Sequence, residues 1–368
     1  MRSRKVPLAL LAATLLVLSD GASAQPTYVG SDACKQCHET QWNHFRVSGH
    51  PYKLSTAADA ASDPIPLPKG VDWADVSYVV GGYRWKSRYL DVDGYFITSD
   101  EDGPGNNQYN NATGEWVDYN AGAVNKVYDC GICHTTGYSA TGHQGDLPGI
   151  TGTWALEGIQ CEACHGPASD HVNLPMSSNI ELDPSAEACG SCHDRGDTAT
   201  IPASGGFVQH HEQYNEFLAS PHVLLDCTSC HDPHLRSEFS VHTECIDCHD
   251  EYADPETGDL DPKAGFKKLG QNHLKRDVGC VDCHMPFTGK SATSENAYKG
   301  DIRSHVFEIT LDPEATMFNE GGSLANGPLV AAWSCLGCHD EVVADFTAKG
   351  KPEKAEAWAL KNARKIHK

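Results

Sequence analysis

Two cysteines and a histidine recur at one fixed spacing along this chain of 368 residues. The pattern is Cys-x-x-Cys-His, and its eight copies contain all 16 cysteines. The cysteines are Cys34 and Cys37, Cys130 and Cys133, Cys161 and Cys164, Cys189 and Cys192, Cys227 and Cys230, Cys245 and Cys248, Cys280 and Cys283, and Cys335 and Cys338. The histidines are His38, His134, His165, His193, His231, His249, His284 and His339. Two such thiols can form thioethers with the vinyl groups of a haem, and the adjacent imidazole can bind its iron. The sequence thus predicts eight c-type haems, with these histidines as proximal iron ligands.

Three other uses of paired cysteines fit the pattern less well. A zinc ion is satisfied by four tetrahedral ligands and does not require a histidine after every cysteine pair. Iron–sulfur sites use longer cysteine runs, such as C-x2-C-x2-C-x3-C, which this sequence lacks. A disulfide framework has no reason to repeat one spacing eight times with histidine appended. Haem attachment is therefore the favoured interpretation.

Twelve further histidines are available to bind the opposite faces of the irons. Neutral imidazole is a good iron ligand when a second polar group orients the ring. Local context favours eight of the twelve as distal ligands: His50, His171, His211, His222, His234, His242, His273 and His305. The remaining four have other expected places: His210 is the alternative to His211, His143 is a reserve, and His44 and His367 are expected at the surface.

The N-terminus predicts export. Arg2, Arg4 and Lys5 precede an apolar stretch over residues 6–18 that is too short to span a bilayer, and the small residues 22–24 fit a cleavage site. We therefore expect a signal peptide over residues 1–24 and a mature octahaem domain over residues 25–368, in the periplasm or outside the cell. No later segment reads as a transmembrane helix, so the mature chain is expected to have no integral membrane segment.

The formal net charge of −22 argues against nucleic acid and anionic lipid as partners. Other redox proteins or copies of the same chain are the expected partners. The acidic stretch Asp254, Glu256, Asp259 and Asp261 is expected to be a solvated loop rather than a Ca²⁺ site.

The segments between the motifs are the parts of the chain that must hold the motifs in place. The mature chain offers 43 residues for each haem, so neighbouring haems are expected to share walls and to supply much of the apolar interior. Most of the chain is rich in Gly, Pro and Asp and predicts irregular structure with short α-helices around the haems. The best helical segments are residues 33–45, 212–219 and 341–366. Residues 71–125 are instead rich in β-branched and aromatic residues and turn signals, and predict a small antiparallel β-subdomain.

Several motif segments resemble those of known multihaem proteins. Residues 28–38, followed by Ser48-Gly49-His50, are similar to the opening of the cytochrome c-552/c-554-type multihaem family. Residues 161–171 are similar to the segment in which that family has a distal ligand at the position of His171. Residues 280–286, CVDCHMP, resemble a segment of pentahaem nitrite reductases and octahaem hydroxylamine oxidoreductases. The resemblance implies a multihaem cytochrome c fold with parallel and perpendicular haem pairs, and the wider group includes proteins that polymerise into extracellular filaments.

Two functions follow from this set of residues. The favoured one is an exported octahaem electron carrier with mainly bis-histidine haems, either free or as a filament subunit. Three features favour the electron carrier. The spare histidines are numerous enough to fill the sixth coordination position of every iron, and the chain is short for eight haems. No Cys-x-x-Cys-Lys variant marks a catalytic haem. The alternative is an oxidoreductase that acts on nitrite, hydroxylamine or tetrathionate at one open haem, for which no catalytic residue is assigned.

Overall fold

The structure is a computed structural model that describes residues 25–62, 65–83 and 85–367. The predicted signal peptide, residues 1–24, lies outside the described residues, as does residue 84 within the expected β-subdomain. The remaining chain folds into short helices and strands joined by long irregular segments. This agrees with the mixed, mostly irregular structure expected from its Gly, Pro and Asp content.

The strands of the described residues are short, and five of them form the main sheet. They are β1 (Leu54–Thr56), β2 (Val76–Gly81), β3 (Ser87–Asp91), β4 (Ser99–Asp100), β5 (Gly103–Pro104), β6 (Gln108–Asn110), β7 (Glu115–Val117), β8 (Thr135–Thr136), β9 (Leu156–Glu157), β10 (Ile201–Ser204), β11 (Phe207–Val208), β12 (Ile309–Thr310), β13 (Leu324–Ala325) and β14 (Leu329–Val330). The main sheet has the order β1-β2-β3-β6-β7, with every neighbouring pair antiparallel.

Alternating side chains give the main sheet two buried faces. On one face Val79 and Tyr89 pack with the segment before β2, and on the other Val80 and Leu90 pack against Phe96, Tyr128 and Trp154. Because side chains alternate along a strand, adjacent residues of β2 and β3 contribute to opposite faces. Tyr128, which is fully buried, lies two residues before the second motif. The sheet therefore holds the second Cys-x-x-Cys-His motif in place.

The α-helices of the described residues have between four and eleven residues. They are α1 (Ser31–Cys34), α2 (Glu39–Phe45), α3 (Ala57–Ser62), α4 (Gly131–His134), α5 (Cys161–His165), α6 (Ser169–Asn173), α7 (Ala186–Gly190), α8 (Gln213–Leu218), α9 (Lys268–Leu274), α10 (Cys280–His284), α11 (Ala331–Leu336), α12 (Asp340–Ala348) and α13 (Glu353–Ala363). Short 3-10 turns add Pro51–Lys53, Cys227–Ser229 and Cys245–Asp247.

The C-terminal segment forms two helices rather than one. The expected helix over residues 341–366 is interrupted at Gly350, whose φ of 65° lies in the left-handed region, and Pro352 starts the next helix. The interruption folds α13 back onto α11. Ala355 and Ala359, both fully buried and one turn apart, bring α13 close to Ala332 and Leu336 of α11. This packing covers the eighth motif.

Candidate haem centres

Each Cys-x-x-Cys-His motif forms one helical turn. In five motifs the backbone N–H of the histidine donates to the backbone carbonyl of the first cysteine at 2.9–3.0 Å. The other three motifs, the second, third and seventh, lie in α4, α5 and α10. One turn of helix places two thiols and an imidazole close together. All 16 cysteines lie within the described residues and have free thiols.

Seven motif histidines face a second histidine ring. The ring centres of the pairs are 6.0–6.4 Å apart: His38 and His171, His193 and His50, His165 and His234, His249 and His222, His231 and His305, His339 and His273, and His284 and His367. Two imidazoles that bind opposite sides of one metal ion through Nε2, with bonds of about 2.0 Å, hold their ring centres roughly 6.2 Å apart. The seven pairs therefore fit a haem iron between the two rings.

In several of these histidines the other ring nitrogen, Nδ1, has a hydrogen-bond acceptor, whereas Nδ1 of His222, His305 and His367 is buried without one. Nδ1 of His165 donates to the Glu181 carbonyl at 2.8 Å, and Nδ1 of His284 donates to the Phe307 carbonyl at 2.8 Å. On the facing side, Nδ1 of His273 donates to the Leu269 carbonyl at 2.9 Å. Such acceptors fix the ring orientation and leave Nε2 for the metal. Among the described residues, no group of three or more metal-binding side chains gathers as a zinc site would require.

The structure brings six of the eight predicted distal histidines opposite a motif histidine. They are His50, His171, His222, His234, His273 and His305. The ring of His242 is oriented differently, because its Nε2 lies 3.2 Å from the Thr228 carbonyl and its Nδ1 lies 3.2 Å from the Thr243 hydroxyl. Both nitrogens of His242 are thus occupied by hydrogen bonds and neither points to an iron position.

His367, expected at the surface, instead faces His284 across 6.0 Å. A backbone bridge between Phe266 and His367 draws the chain end inward, and the two rings lie 4.9 Å apart. No local sequence signal marks this contact, because it joins segments far apart in the chain. The reserve His143 donates from Nδ1 to the Ile150 carbonyl at 2.5 Å, and His44 is exposed.

His134, in the second motif, differs from the other seven motif histidines. Its Nδ1 donates to the carbonyl of Lys53 at 3.0 Å, an orienting contact of the kind that His165 and His284 make. Across the described residues, however, no histidine ring forms a facing pair with it like the seven above. His211, a predicted distal ligand on which His134 acts electrostatically, lies against His210 instead, with ring centres 3.9 Å apart. A haem iron bound by His134 would keep its sixth position free of imidazole.

Positive side chains surround His134. Burial above all, and then the charges of Lys53, Arg88 and Lys86, lower the pKa of His134 to about 4. Burial and the Arg88 charge lower the pKa of Lys86 to about 7, while its Nζ donates to the Ser291 carbonyl at 2.9 Å. Arg88 donates to Gln108 at 2.7 Å, and its guanidinium lies 3.5 Å from the centre of the Tyr119 ring. The main sheet thus fixes Lys86 and Arg88 beside the second motif.

An ion pair between partly exposed Arg195 and buried Glu212 lies next to these side chains. Arg195 Nε binds Oε1 of Glu212 at 2.7 Å, and the Glu212 side chain is fully buried. The other Glu212 oxygen accepts the backbone N–H of His211 at 2.6 Å. Burial, with the Arg195 charge next, lowers the pKa of His211 to about 3, so the ring is neutral. Glu212 therefore positions both Arg195 and the His210–His211 pair near His134. We call Lys53, Lys86, Arg88, Arg195, His210 and His211 the distal cluster.

Neighbouring cysteines show how the motifs, numbered one to eight in chain order, follow one another in space. Each of these contacts joins two motifs: Cys34 with Cys161, Cys164 with Cys189, Cys189 with Cys227, Cys230 with Cys245, Cys245 with Cys280, and Cys283 with Cys338. The spatial order is therefore one, three, four, five, six, seven, eight. The second motif branches from the fourth, because Cys133 neighbours Cys192.

Comparisons with known proteins agree with these centres. Residues 106–166, which include the second and third motifs, match the family profile described as cytochrome c554 and c-prime. The multiheme cytochrome MtrA of Shewanella baltica (strain OS185) is 30% identical over 145 residues, a segment that covers 36% of this chain and 36% of that protein. The chain resembles the multihaem c-type cytochromes. This likeness supports c-type haem as the cofactor and electron transfer as the general function.

Two solved structures share the fold. The outer cell wall cytochrome OcwA matches with a TM-score of 0.50 and 18% identity, over 85% of this chain and 84% of that one. The octaheme sulfite reductase MccA of Wolinella succinogenes matches with a TM-score of 0.57 and 17% identity, over 85% of this chain and 65% of that one. The fold is thus that of multihaem cytochromes, and it is found both in a wall cytochrome and in a reductase. Within the described residues, no helix has the length and apolar character to cross a membrane.

Proposed function

We propose that this protein is an exported octahaem cytochrome that conducts electrons through seven bis-histidine haems and reduces a small nitrogen or sulfur oxyanion at the haem of the second motif. The observation that carries the proposal is the difference between His134 and the other seven motif histidines. Seven have a facing imidazole at 6.0–6.4 Å, whereas His134 has the distal cluster nearby. The revised distal ligands are His50, His171, His222, His234, His273, His305 and His367.

The bound haem would supply electrons and one free coordination position at His134. The residues of the chain supply the rest. Lys86 and Arg88 attract an oxyanion, since cationic side chains in a partly buried site bind anions more strongly than in water. Each oxygen that leaves as water requires two electrons and two protons. Lys86, whose pKa is about 7, can donate such protons near neutral pH, whereas His211, whose pKa is about 3, is already neutral there.

Electron delivery to the second motif follows from its contacts. Cys133 neighbours Cys192 of the fourth motif, and the Pro51–Lys53 turn joins the two centres directly. His50, immediately before this turn, faces His193, while the Lys53 carbonyl accepts from His134. The fourth motif is therefore the expected donor to the second. Close centres exchange electrons by tunnelling, so such contact favours fast delivery.

A reduced-dye assay tests the catalytic part of the proposal. The purified holoprotein is given reduced methyl viologen with nitrite, hydroxylamine, sulfite or tetrathionate, and dye oxidation is followed. We expect turnover with at least one of these substrates. Lys86→Met is expected to lower kcat/KM about tenfold to hundredfold, because a charge-assisted contact contributes about 1.5–3 kcal/mol. Lys290→Met removes one positive charge from an exposed position and is expected to keep the parent rate.

Two results would contradict the proposal. Absence of turnover with all four substrates would leave a pure electron carrier, the function that the seven facing pairs alone support. If the Lys86 and Lys290 variants have equal kcat/KM values, Lys86 does not bind the substrate. Lys86 would then pair with another anion, such as a haem propionate. Assembly into a filament is a separate prediction from the sequence, and the comparisons lend no support to a homopolymer.

A further inference from the structure

Two segments of this acidic chain concentrate positive charge. Residues 263–276 and 349–365 contain eleven of the 28 lysines and arginines but two of the 50 acidic residues. Their net charge is therefore +9, and the rest of the chain carries −31. All eleven basic side chains are exposed. We call them the basic face: Lys263, Lys267, Lys268, Lys275, Arg276, Lys349, Lys351, Lys354, Lys361, Arg364 and Lys365.

The two segments pack against each other and form one surface. The Lys267 Nζ donates to the Arg364 carbonyl at 2.8 Å, and the Lys267 backbone N–H donates to the Ile366 carbonyl at 2.8 Å. Beneath them the rings of Phe266 and His367 lie 4.9 Å apart. The segments just before helix α9 and just after helix α13 are thus held together, so the basic residues at this junction belong to one surface.

This surface lies over the last two motifs in the spatial order. His273, which faces His339 of the eighth motif at 6.2 Å, is followed closely by Lys275 and Arg276. His367, which faces His284 of the seventh motif at 6.0 Å, is preceded by Arg364 and Lys365. The positive charge therefore surrounds the residues that face the irons at one end of the electron route. A charge cluster that served only solubility would have no reason to lie next to the residues that face the irons.

We propose that the basic face docks an acidic redox protein that exchanges electrons with the haem of the eighth motif. The proposal rests on the haem content proposed above. His273 and His339 would hold the iron of this haem, which would accept one electron while the reduced partner is oxidised by one electron. A local field of this kind raises the association rate of an oppositely charged partner even when both proteins are acidic overall. An acidic partner fits this end and would be repelled by the rest of the surface.

Salt dependence of electron transfer separates the local field from the net charge. Reduced flavodoxin, a small acidic carrier, serves as the probe, and its oxidation by the holoprotein is followed by stopped flow at increasing ionic strength. Both proteins are acidic overall, so control by net charge makes the rate rise as salt screens their repulsion. Docking at the basic face makes the rate fall. A rate that rises with salt would overturn the proposal.

Matched charge reversals locate the docking surface. The double variant Lys275→Glu with Lys365→Glu is expected to lower the rate at low salt about tenfold, in the lower range of electrostatic steering. The control variant Arg46→Glu with Lys290→Glu changes the net charge equally at exposed positions elsewhere, and is expected to change the rate less than twofold. Equal losses in both variants would refute docking at the basic face.

Two further measurements distinguish an acidic partner from a second copy of the chain, and a failure of this proposal from a failure of the proposed function. Light scattering at low salt tests a second copy as the occupant, because the rest of the chain is itself acidic. If the protein self-associates and the double variant Lys275→Glu with Lys365→Glu does not, the basic face binds a second copy of the chain. That result would overturn the acidic-partner proposal. A pyridine haemochrome assay gives the haem count of each variant. Fewer than eight haems in the parent protein would contradict the proposed function, independently of the flavodoxin result.

Discussion

Which nitrogen of a histidine ring is engaged decides its use in this protein. In most of the facing pairs Nδ1 contacts a carbonyl, hydroxyl or carboxylate, as in His231 with Ser240 at 3.1 Å and His234 with Asp232 at 3.0 Å. Nε2 is then directed at the iron position. His242 uses both nitrogens in hydrogen bonds and is excluded by the same criterion. The orientation of the ring is therefore as informative as its proximity.

His367 and His242 give a matched test of this criterion. Replacing His367 by alanine should remove the imidazole that faces His284 and add one high-spin ferric haem to the electron paramagnetic resonance spectrum. Added imidazole should reverse the change by filling the vacated position. Replacing His242 by alanine should leave the spectrum of the parent protein unchanged. A new high-spin signal in the His242 variant, with none in the His367 variant, would refute the revised ligand assignment.

The clustering of two thiols and an imidazole in each motif could be predicted from the sequence, because all three groups come from one helical turn. The facing residue could not, because it comes from a distant segment. His367 reaches His284 through a backbone bridge to Phe266, which no local pattern reports. His242 lies between two closely spaced motifs, yet neighbouring hydroxyl and carbonyl groups turn its ring away. The distal cluster was missed for the same reason, since Lys86 and Arg195 meet only in the fold.

At the scale of elements, the Pro51–Lys53 turn joins two centres. It begins directly after His50, which faces His193, and ends at the carbonyl that orients His134. Gly158 packs so closely on this turn that a Cβ there would collide with the Pro51 carbonyl oxygen, and its φ is 68°. Gly158 is therefore the residue that permits the turn to approach the segment after β9.

Gly158→Ala should displace the turn and disturb both centres. We expect a lower Tm together with altered spectra of the His193 and His134 haems, because the collision is with backbone that cannot rotate away. Gly205→Ala is the control, since its φ of 60° is similar and nothing lies within 4 Å of an added Cβ. The control should show only the strain of a left-handed residue, about 1–2 kcal/mol in the free energy of unfolding. Identical haem spectra in both variants would contradict this role of Gly158.

The elements were partly predictable from local sequence. The β-branched and aromatic residues of 71–125 indicated strands such as β2 and β3, and the turn after β3 uses Gly94, whose φ of 83° few other residues tolerate. The pairing of β1 with β2 was not foreseen, since Leu54 lies before the region of strand-like composition. The helix predicted over residues 33–45 divides into α1 and α2, because the first motif lies between them as a separate turn.

At the scale of the whole molecule, the motifs form one route with a side branch. The route runs from the first motif to the eighth, and the branch leads from the fourth motif to the second, beside the main sheet. The proposed open iron position therefore lies away from the ends of the route, and the basic face lies at one end. Under the proposed function, this arrangement separates electron exchange with a partner from chemistry at the distal cluster.

The most direct test of this account is spin quantitation of the fully oxidised holoprotein by electron paramagnetic resonance, set against its haem count. Seven facing imidazole pairs and one unpaired His134 predict one high-spin ferric haem among eight. Nitrite or sulfite should alter that signal and leave the low-spin signals unchanged, because the distal cluster gathers anions at this position alone. A spectrum in which all eight haems are low-spin, unaffected by either anion, would contradict the open site.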